Sequence, residues 1–554
     1  MKHGLTRLAF LAFALVLLLL PAFSAGVLFS KEGNDGKGAD EPNASEELAK
    51  QETEFNRLMR AEEERVKKLS KMRKDIEAQI EEFDKRAGEL VRNFNDAAEG
   101  DREAARKALE NCKKEVRQYL ASQCDALKRL NSLLNFEEAS KNLPEAGNWR
   151  CKLALGDVNG DGYLDIAAAG KFLPKPYALD VWLYDGKGGW IHSKSGLPQS
   201  GCGGSCVFAD VNKDKKLDLV FAPHGGAVVI FLGDGAGNWK KKEGAVDKLM
   251  TPPKPKGGQV LVGGFEDCAV GDINNDGNLD IIHFGYMMPG CGIYFGDGKG
   301  NFKLQPRNGA PDTTGADRCL LVDLNNDGAL DILRSTHGAE TEPREKLSQV
   351  YLGDGKGNWR PSAWGLKQVA TDGMIQGVAA GDVNNDGNMD IAFAGSQPRF
   401  VKGNKSLLVF LGNGAGLWRQ STMGIGVAVY KEPAFADFDG DGNLDLAVVG
   451  ASPSCITVYR GDGKGAWAVQ RDIGIQVLKM QGQSLKTGDV DGDGFPDIVA
   501  SFRGGRWNVM AKAKRPANVG EGGVKCWLNR PIGVGLERRI KEIIQNIDKT
   551  LRQG

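Results

Sequence analysis

The segment GDVNGDGYLDIAAAG, residues 156–170, places three aspartates and one asparagine within nine positions, and an apolar run follows at once. Closely related segments begin at Asp210, Asp272, Asp323, Asp382, Asp437 and Asp489, so the first aspartates are separated by 53, 62, 51, 59, 55 and 52 residues. A repeat period of this length is typical of solenoids, propellers and arrays. The chain therefore contains seven copies of one structural unit.

Each unit contains four short apolar stretches separated by turns. The acidic loop joins the first two stretches, and a glycine turn that ends in an aromatic residue, such as LGDGKGNW (352–359), joins the last two. Short strands separated by glycine turns at intervals of about ten residues are typical of a propeller blade. The sequence therefore predicts an all-β, seven-bladed β-propeller over residues 135–530.

The seventh unit lacks a fourth stretch of its own. GVKCWLNRP (523–531) supplies a third strand, after which the sequence becomes helical. At the other end, alignment of 140–158 with 193–211 puts Phe136 near the position of Trp190, where a fourth strand begins. We therefore expect residues 134–143 to complete blade seven, because closing the ring removes exposed sheet edges.

Two regions outside the repeats have helical periodicity. Residues 45–134 carry apolar residues at heptad spacing, which predicts a coiled-coil seam. The pattern loosens at 95–101, so we interpret it as an antiparallel pair of helices, with one long broken helix as the alternative. Residues 531–554 form a third amphipathic helix, for which the N-terminal pair is the natural partner. The apolar positions are Leu69, Ile76, Phe83 and Leu90, then Ile80, Ala87 and Phe94, then Leu109, Cys112, Val116, Leu120, Leu127, Leu130 and Leu134, and finally Leu536, Ile540, Ile543, Ile547 and Leu551.

The N-terminus indicates export. Lys2 and Arg7 precede an apolar run and the small residues of AFSA (22–25), which is typical of a signal peptide over 1–25. An uncleaved anchor over 8–29 is the alternative, and 26–44 is interpreted as a polar linker. We expect the protein to be secreted, periplasmic or at the cell surface. The 72 basic and 72 acidic residues balance, so no nucleic-acid partner is indicated.

The acidic loops have the composition of a calcium site. Positions 1, 3, 5 and 9 supply side-chain oxygens, position 7 a carbonyl, and the glycine at position 6 permits a left-handed turn. An acidic turn without metal is the alternative, but seven clusters of like charge are unfavourable without compensation. The sequence predicts up to seven Ca²⁺ ions, with 210–218 the weakest loop because of its lysines, and 437–445 and 489–497 the tightest. The predicted ligands are Asp157, Asn159, Asp161, Asp165; Asp210, Asn212, Asp214, Asp218; Asp272, Asn274, Asp276, Asp280; Asp323, Asn325, Asp327, Asp331; Asp382, Asn384, Asp386, Asp390; Asp437, Asp439, Asp441, Asp445; and Asp489, Asp491, Asp493, Asp497.

At these motifs the chain resembles the FG-GAP and VCBS repeat family, whose blades also form the heads of integrin α subunits. The resemblance covers about residues 135–530 and implies calcium on one face and ligands on the opposite face. Lys215, where glycine is expected, and the N-terminal helical region depart from the family pattern. Aromatic and arginine side chains in the loops predicted for the opposite face are candidate ligand contacts, with ordinary loop variation as the alternative. They are Phe172, Tyr177, Tyr286, Arg344, Arg399, Phe400, Arg503, Arg506 and Trp507.

The sequence contains no nucleophile elbow, phosphate loop or zinc-ligand cluster. We therefore favour a binding or adhesion module for an extracellular protein or glycan, with self-association through the N-terminal helices as a further expectation. The alternatives are a secreted polysaccharide-degrading enzyme of lyase type and a purely structural envelope protein, because fold does not fix function. Cys206, Cys268 and Cys319 recur four residues before the first aspartate and are expected to be buried small hydrophobes.

Overall fold

A computed structural model describes most of the chain from Ala44 onward, and the signal peptide and linker predictions lie outside its described residues. The described ranges are 44–149, 152–170, 178–198, 203–223, 227–247, 264–286, 291–311, 318–335, 349–362, 364–366, 375–395, 406–421, 424–425, 430–450, 456–478, 480–503 and 522–553. None of the helices within these ranges is long and apolar enough to cross a bilayer.

Within the described residues, twenty-eight strands form seven antiparallel sheets of four, as the repeats predict. The first strands of neighbouring blades contact one another around the full circle, including β2 against β26. Blades one to three are β2 (Ala154–Gly156), β3 (Asp165–Ala169), β4 (Leu179–Tyr184), β5 (Trp190–Ser193); β6 (Gly204–Ala209), β7 (Asp218–Pro223), β8 (Val229–Gly233), β9 (Trp239–Lys241); and β10 (Gly264–Gly271), β11 (Asp280–Tyr286), β12 (Cys291–Gly296), β13 (Phe302–Leu304).

The remaining four blades repeat this arrangement. Blades four to six are β14 (Cys319–Val322), β15 (Asp331–Arg334), β16 (Val350–Gly353), β17 (Trp359–Pro361); β18 (Ile375–Gly381), β19 (Asp390–Gly395), β20 (Leu407–Gly412), β21 (Trp418–Gln420); and β22 (Tyr430–Ala436), β23 (Asp445–Gly450), β24 (Ile456–Gly461), β25 (Trp467–Val469). Blade seven consists of β26 (Gln481–Gly488), β27 (Asp497–Arg503), β28 (Gly522–Asn529) and β1 (Phe136–Glu138).

The ring is closed by strands from the two ends of the propeller, which confirms the prediction for Phe136. β1 pairs antiparallel with β28, with Phe136 opposite Asn529. The aromatic ring of Phe136 is buried against Phe438 with the centroids 5.6 Å apart. The seventh sheet is therefore completed by a strand that lies nearly 400 residues earlier in sequence.

The glycine turns place an aromatic ring in the core of each of the first six blades. In blade four, the carboxylate of Asp354 accepts hydrogen bonds from the N–H groups of Lys356 and Asn358, which closes the turn. Trp359 then begins the outer strand with its ring buried. Because buried aromatic side chains contribute large apolar area, these turns fix the outer strand of each blade.

Three helices form a separate apolar core beside the propeller. They are α1 (Ala44–Asp96), α2 (Arg102–Leu130) and α3 (Ile532–Gln553). The break between α1 and α2 confirms two helices, and contacts of Phe94 with Arg102 and of Phe83 with Tyr119 show that they run antiparallel. α3 packs on α2, since a side chain at Gly533 would collide with the Leu127 carbonyl. The predicted apolar stripes from all three helices line this core, except for Leu134, which follows the end of α2 and is buried in the propeller instead.

Candidate metal site

Each acidic loop is wrapped around its first aspartate. We number the loops one to seven as 157–165, 210–218, 272–280, 323–331, 382–390, 437–445 and 489–497. In every loop the first carboxylate accepts a hydrogen bond of 2.8–2.9 Å from the N–H of the sixth residue. That sixth residue has positive φ, and loop two adopts the same turn with Lys215 at φ 67°. Lys215 therefore preserves the loop's shape in a conformation that favours glycine.

The third position separates the loops into two groups. In loops one to five it is asparagine, and its amide donates to the fifth-position carboxylate, as Asn159 does to Asp161 at 2.9 Å. In loops six and seven it is aspartate, so this hydrogen bond is replaced by a fourth carboxylate. Repulsion among like charges at short distance is therefore strongest in loops six and seven.

The ninth aspartate has a structural role that the sequence analysis missed. One carboxylate oxygen accepts from the N–H of the loop's second residue at 2.7–3.1 Å, and the other accepts from the third strand of the blade at 2.6–2.9 Å. All seven of these residues are fully buried. These aspartates fasten each loop to its sheet. If they also bind Ca²⁺ as predicted, they would do so through a remaining lone pair on a carboxylate oxygen. The seven are Asp165, Asp218, Asp280, Asp331, Asp390, Asp445 and Asp497.

Burial makes these carboxylates difficult to ionise. Desolvation raises the pKa of Asp165 to about 7 and that of Asp497 to about 8, although each accepts two backbone hydrogen bonds that oppose the shift. In loop six, desolvation followed by repulsion from Asp441 raises the pKa of Asp439 to about 6. A cation placed among these groups would favour their charged forms and reverse the shifts.

Loop six fits a hard cation. Ligand oxygens of Asp437, Asp439 and Asp441 lie within 4.8 Å of one another. Asp439 is 3 % exposed, and within the described part of the chain its Oδ2 has no hydrogen-bond partner. Buried polar atoms are normally satisfied, and three converging carboxylates match the all-oxygen ligand set that Ca²⁺ takes. Asp437, Asp439 and Asp441 are therefore the residues that would hold it.

Loop seven brings the same three positions together but already contains a cation. Oxygens of Asp489, Asp491 and Asp493 also lie within 4.8 Å of one another. The guanidinium of Arg530 donates to Asp491 Oδ2 and lies 3.3 Å from Asp493 Oδ2. The sequence analysis missed this contact, which joins the loop to the residue that follows β28.

Seven of the nine candidate ligand-face residues lie outside the described residues: Phe172, Tyr177, Arg344, Arg399, Phe400, Arg506 and Trp507. Tyr286 and Arg503 are the last residues of β11 and β27. The Arg503 guanidinium donates to Gln481 Oε1 at 2.7 Å and is half-buried. Arg503 therefore supports the pairing of β26 with β27.

A buried polar ring around the propeller axis is a second feature that sequence reasoning missed. It comprises six of the seven residues that stand five positions before a first aspartate, Lys152, Ser205, Asp267, Arg318, Glu432 and Ser484, while Gly377 occupies the seventh position. Lys152 Nζ lies 3.2 Å from Asp267 Oδ2, and Arg318 Nε lies 3.0 Å from Glu432 Oε2. These ion pairs join blades one and three and blades four and six, which are not neighbours, so they cross the ring. Cys206, Cys268 and Cys319, the next residues in their blades, are buried, as predicted.

The helices contact the propeller on the side of the acidic loops. Glu62 of α1 accepts a hydrogen bond of 3.0 Å from Gln470 at the outer edge of blade six. Arg460 of β24 lies 3.5 Å from Glu62 and 4.0 Å from Asp441 of loop six. With Arg530 in loop seven, these contacts place the helical segments beside loops six and seven.

The fold and the loops define the class of protein: a seven-bladed β-propeller with one acidic loop between the first two strands of every blade. Four segments, 157–221, 210–283, 342–393 and 437–500, match the FG-GAP-like repeat. FG-GAP-like repeats are therefore present at four positions of the seven-bladed propeller.

Solved structures with similar folds share little sequence with this chain. BBS1N in complex with ARL6DN is 10 % identical, with a TM-score of 0.43 over 69 % of this chain and 93 % of that one. AofleA from Arthrobotrys oligospora is 13 % identical, with a TM-score of 0.37 over 62 % and 90 %. The six-bladed Aleuria aurantia lectin is 12 % identical, with a TM-score of 0.31 over 59 % and 96 %. At these scores the similarity bears on neither ligand nor chemistry. No curated protein sequence matches the chain.

Proposed function

We propose that the protein is an exported, calcium-stabilised β-propeller that binds an extracellular protein or glycan. The observation that carries the calcium assignment is loop six, where three carboxylates converge and a buried Asp439 oxygen has no partner among the described residues. Calcium would neutralise this repulsion and stiffen the loops between the first and second strands. The helices stand on the side of these loops, so the opposite face of the ring is the surface left for the partner.

The binding role rests on the architecture. A rigid ring whose long loops vary between blades presents a broad surface, and variable loops on a rigid scaffold commonly carry binding residues. The test is an array of extracellular-matrix proteins and glycans, probed with the full chain either in calcium or in chelator. The calcium concentration is about 1 mM, near which extracellular calcium modules bind. Calcium-dependent capture of a defined protein or glycan is the expected result. Release of a sugar product from a captured polysaccharide would instead favour the enzyme alternative.

Calcium should stabilise the protein more at pH 8 than at pH 5. The raised pKa values of Asp165 and Asp439 mean that ionisation opposes folding when calcium is absent. Their contribution to stability is therefore fully present below the ordinary pKa near 4 and is lost as pH rises through about 6 to 7. Calcium binds the ionised carboxylates, so its stabilisation grows over the same interval.

Thermal melts with calcium and with chelator at both pH values measure this effect. Each pKa unit corresponds to about 1.4 kcal/mol, so we expect a clear difference between the two calcium-induced shifts in Tm. Magnesium at equal concentration is the control, since it requires stricter octahedral geometry. Equal calcium-induced shifts at pH 5 and pH 8 would contradict the assignment of these carboxylates.

A further inference from the structure

Arg530 occupies the space between the carboxylates of loop seven. Its Nη1 donates to Asp491 Oδ2 and lies 3.3 Å from Asp493 Oδ2, while its Nε lies 3.6 Å from Glu137 Oε2 of β1. Asp491 and Asp493 are the third and fifth positions of the loop, the oxygens that a calcium ion would need. The guanidinium satisfies Asp491 Oδ2 but not Asp491 Oδ1, which is buried without a partner among the described residues, so a calcium ion would compete with Arg530 for this carboxylate.

The closure of the propeller holds Arg530 in place. Its backbone N–H donates to the Asn135 carbonyl at 2.7 Å, directly beside β1. The preceding Asn529 donates from its own N–H to Asp497 Oδ1 at 2.6 Å, and α3 begins two residues after Arg530. The strands that close the ring, β1 and β28, therefore also position the Arg530 side chain at loop seven.

Loop six shows what the same loop is like when no cation enters it. Arg460 is the nearest guanidinium there, but it lies 4.0 Å from Asp441 and closer, at 3.5 Å, to Glu62 of α1. Glu62 also accepts hydrogen bonds from Arg65 at 2.9 Å and from Gln470 at 3.0 Å, which fix its position. A carboxylate from the helical region thus holds Arg460 beyond hydrogen-bonding distance of the Asp441 carboxylate of loop six.

We propose that Arg530 is the resident counter-ion of loop seven and competes with calcium for it, an inference that rests on the proposed calcium binding by the other loops. The loop with four aspartates nearest the chain ends is then neutralised from within, while loop six remains open to calcium. Sequence composition alone predicts equally tight calcium binding for loops six and seven, and Arg530 makes calcium binding weaker in loop seven. Calcium can enter loop seven only when the guanidinium leaves, which couples that loop to the segment that begins α3.

The test is a calcium titration of the full chain by calorimetry and native mass spectrometry, comparing wild type with Arg530→Gln. Charge-assisted hydrogen bonds contribute about one to two factors of ten to an equilibrium. We therefore expect Arg530→Gln to gain one calcium ion that binds at least about tenfold more tightly than any ion loop seven takes in wild type. Arg360→Gln, an exposed arginine on β17, is the matched control and should leave the titration unchanged.

Two loop variants keep the test decisive if Arg530→Gln does not fold. In the wild-type background, Asp489→Asn should leave the number of bound ions unchanged, whereas Asp437→Asn should lower it by one. Identical titrations for Arg530→Gln and Arg360→Gln, or loss of an ion in Asp489→Asn, would overturn the proposal. If Asp437→Asn still loses an ion in that case, calcium binding stands and only the role of Arg530 falls. Absence of calcium binding in wild type would overturn both.

Discussion

Phe136→Ala is expected to lower the free energy of unfolding by about 3–5 kcal/mol, the usual cost of removing a buried aromatic ring. Phe136 is 2 % exposed and packs edge-on against Phe438 of blade six. Its N–H also donates to the Ile473 carbonyl at 2.8 Å. Because β1 is the strand that closes the ring, the cavity that Phe136→Ala creates lies at the point where the two ends of the propeller meet.

The measurement is equilibrium unfolding in urea, with Ile191→Ala as the control. Ile191 lies in β5, the equivalent outer strand of blade one, but it is 60 % exposed. The control should therefore change stability by less than about 0.5 kcal/mol. Comparable losses of stability for the two substitutions would show that the packing of β1 does not stabilise the closed ring.

Asp267→Asn is expected to cost about 3–5 kcal/mol because it leaves the buried Lys152 ammonium without its counter-charge. Lys152 Nζ otherwise contacts only the Cys268 and Cys319 carbonyls within the described residues, at 3.2 and 3.1 Å. Asp267 is fully buried and also accepts from Ser205 Oγ and the Cys319 N–H. An asparagine keeps the shape of the site but replaces one acceptor oxygen with a donor, so the loss reports on charge and on one hydrogen bond.

A double variant separates charge from packing. Lys152→Met added to Asp267→Asn removes the uncompensated cation, and replacing both members of a buried ion pair is often neutral. We expect the double variant to recover most of the stability lost by the single one, measured by urea unfolding of both proteins. A double variant that is additively worse would mean that the ring stabilises the propeller by packing alone.

The fold was predictable because its signals are local and repeated. Each loop carries its own aspartates and glycine, and each of the six complete glycine turns ends in an aromatic residue that the structure buries, such as Trp359. Even the closure of the ring could be inferred, because Phe136 aligns with Trp190 once two units are superposed. These features depend on neighbours in sequence, so the chain displays them directly.

The features that sequence reasoning missed depend on contacts between distant residues. The axial ring occupies one position of the repeat, but that position holds lysine, serine, aspartate, arginine, glycine and glutamate, so no single residue type marks it. Alignment of all seven units five residues before the first aspartate would have exposed it. Arg530 reaches loop seven only because β1 and β28 close the ring. The ninth aspartates were predicted as ligands, and only the strand pairing reveals their hydrogen bonds to the third strand.

Calcium binding by the acidic loops is tested most directly by counting the ions bound to each chain. Equilibrium dialysis of the full protein against calcium, followed by elemental analysis, gives this number for wild type and for Asp439→Asn. We predict several ions per wild-type chain and one fewer in Asp439→Asn, whose substitution removes a carboxylate from loop six. A wild-type chain that retains no calcium, or an Asp439→Asn chain that retains the full wild-type number, would contradict calcium binding by these loops.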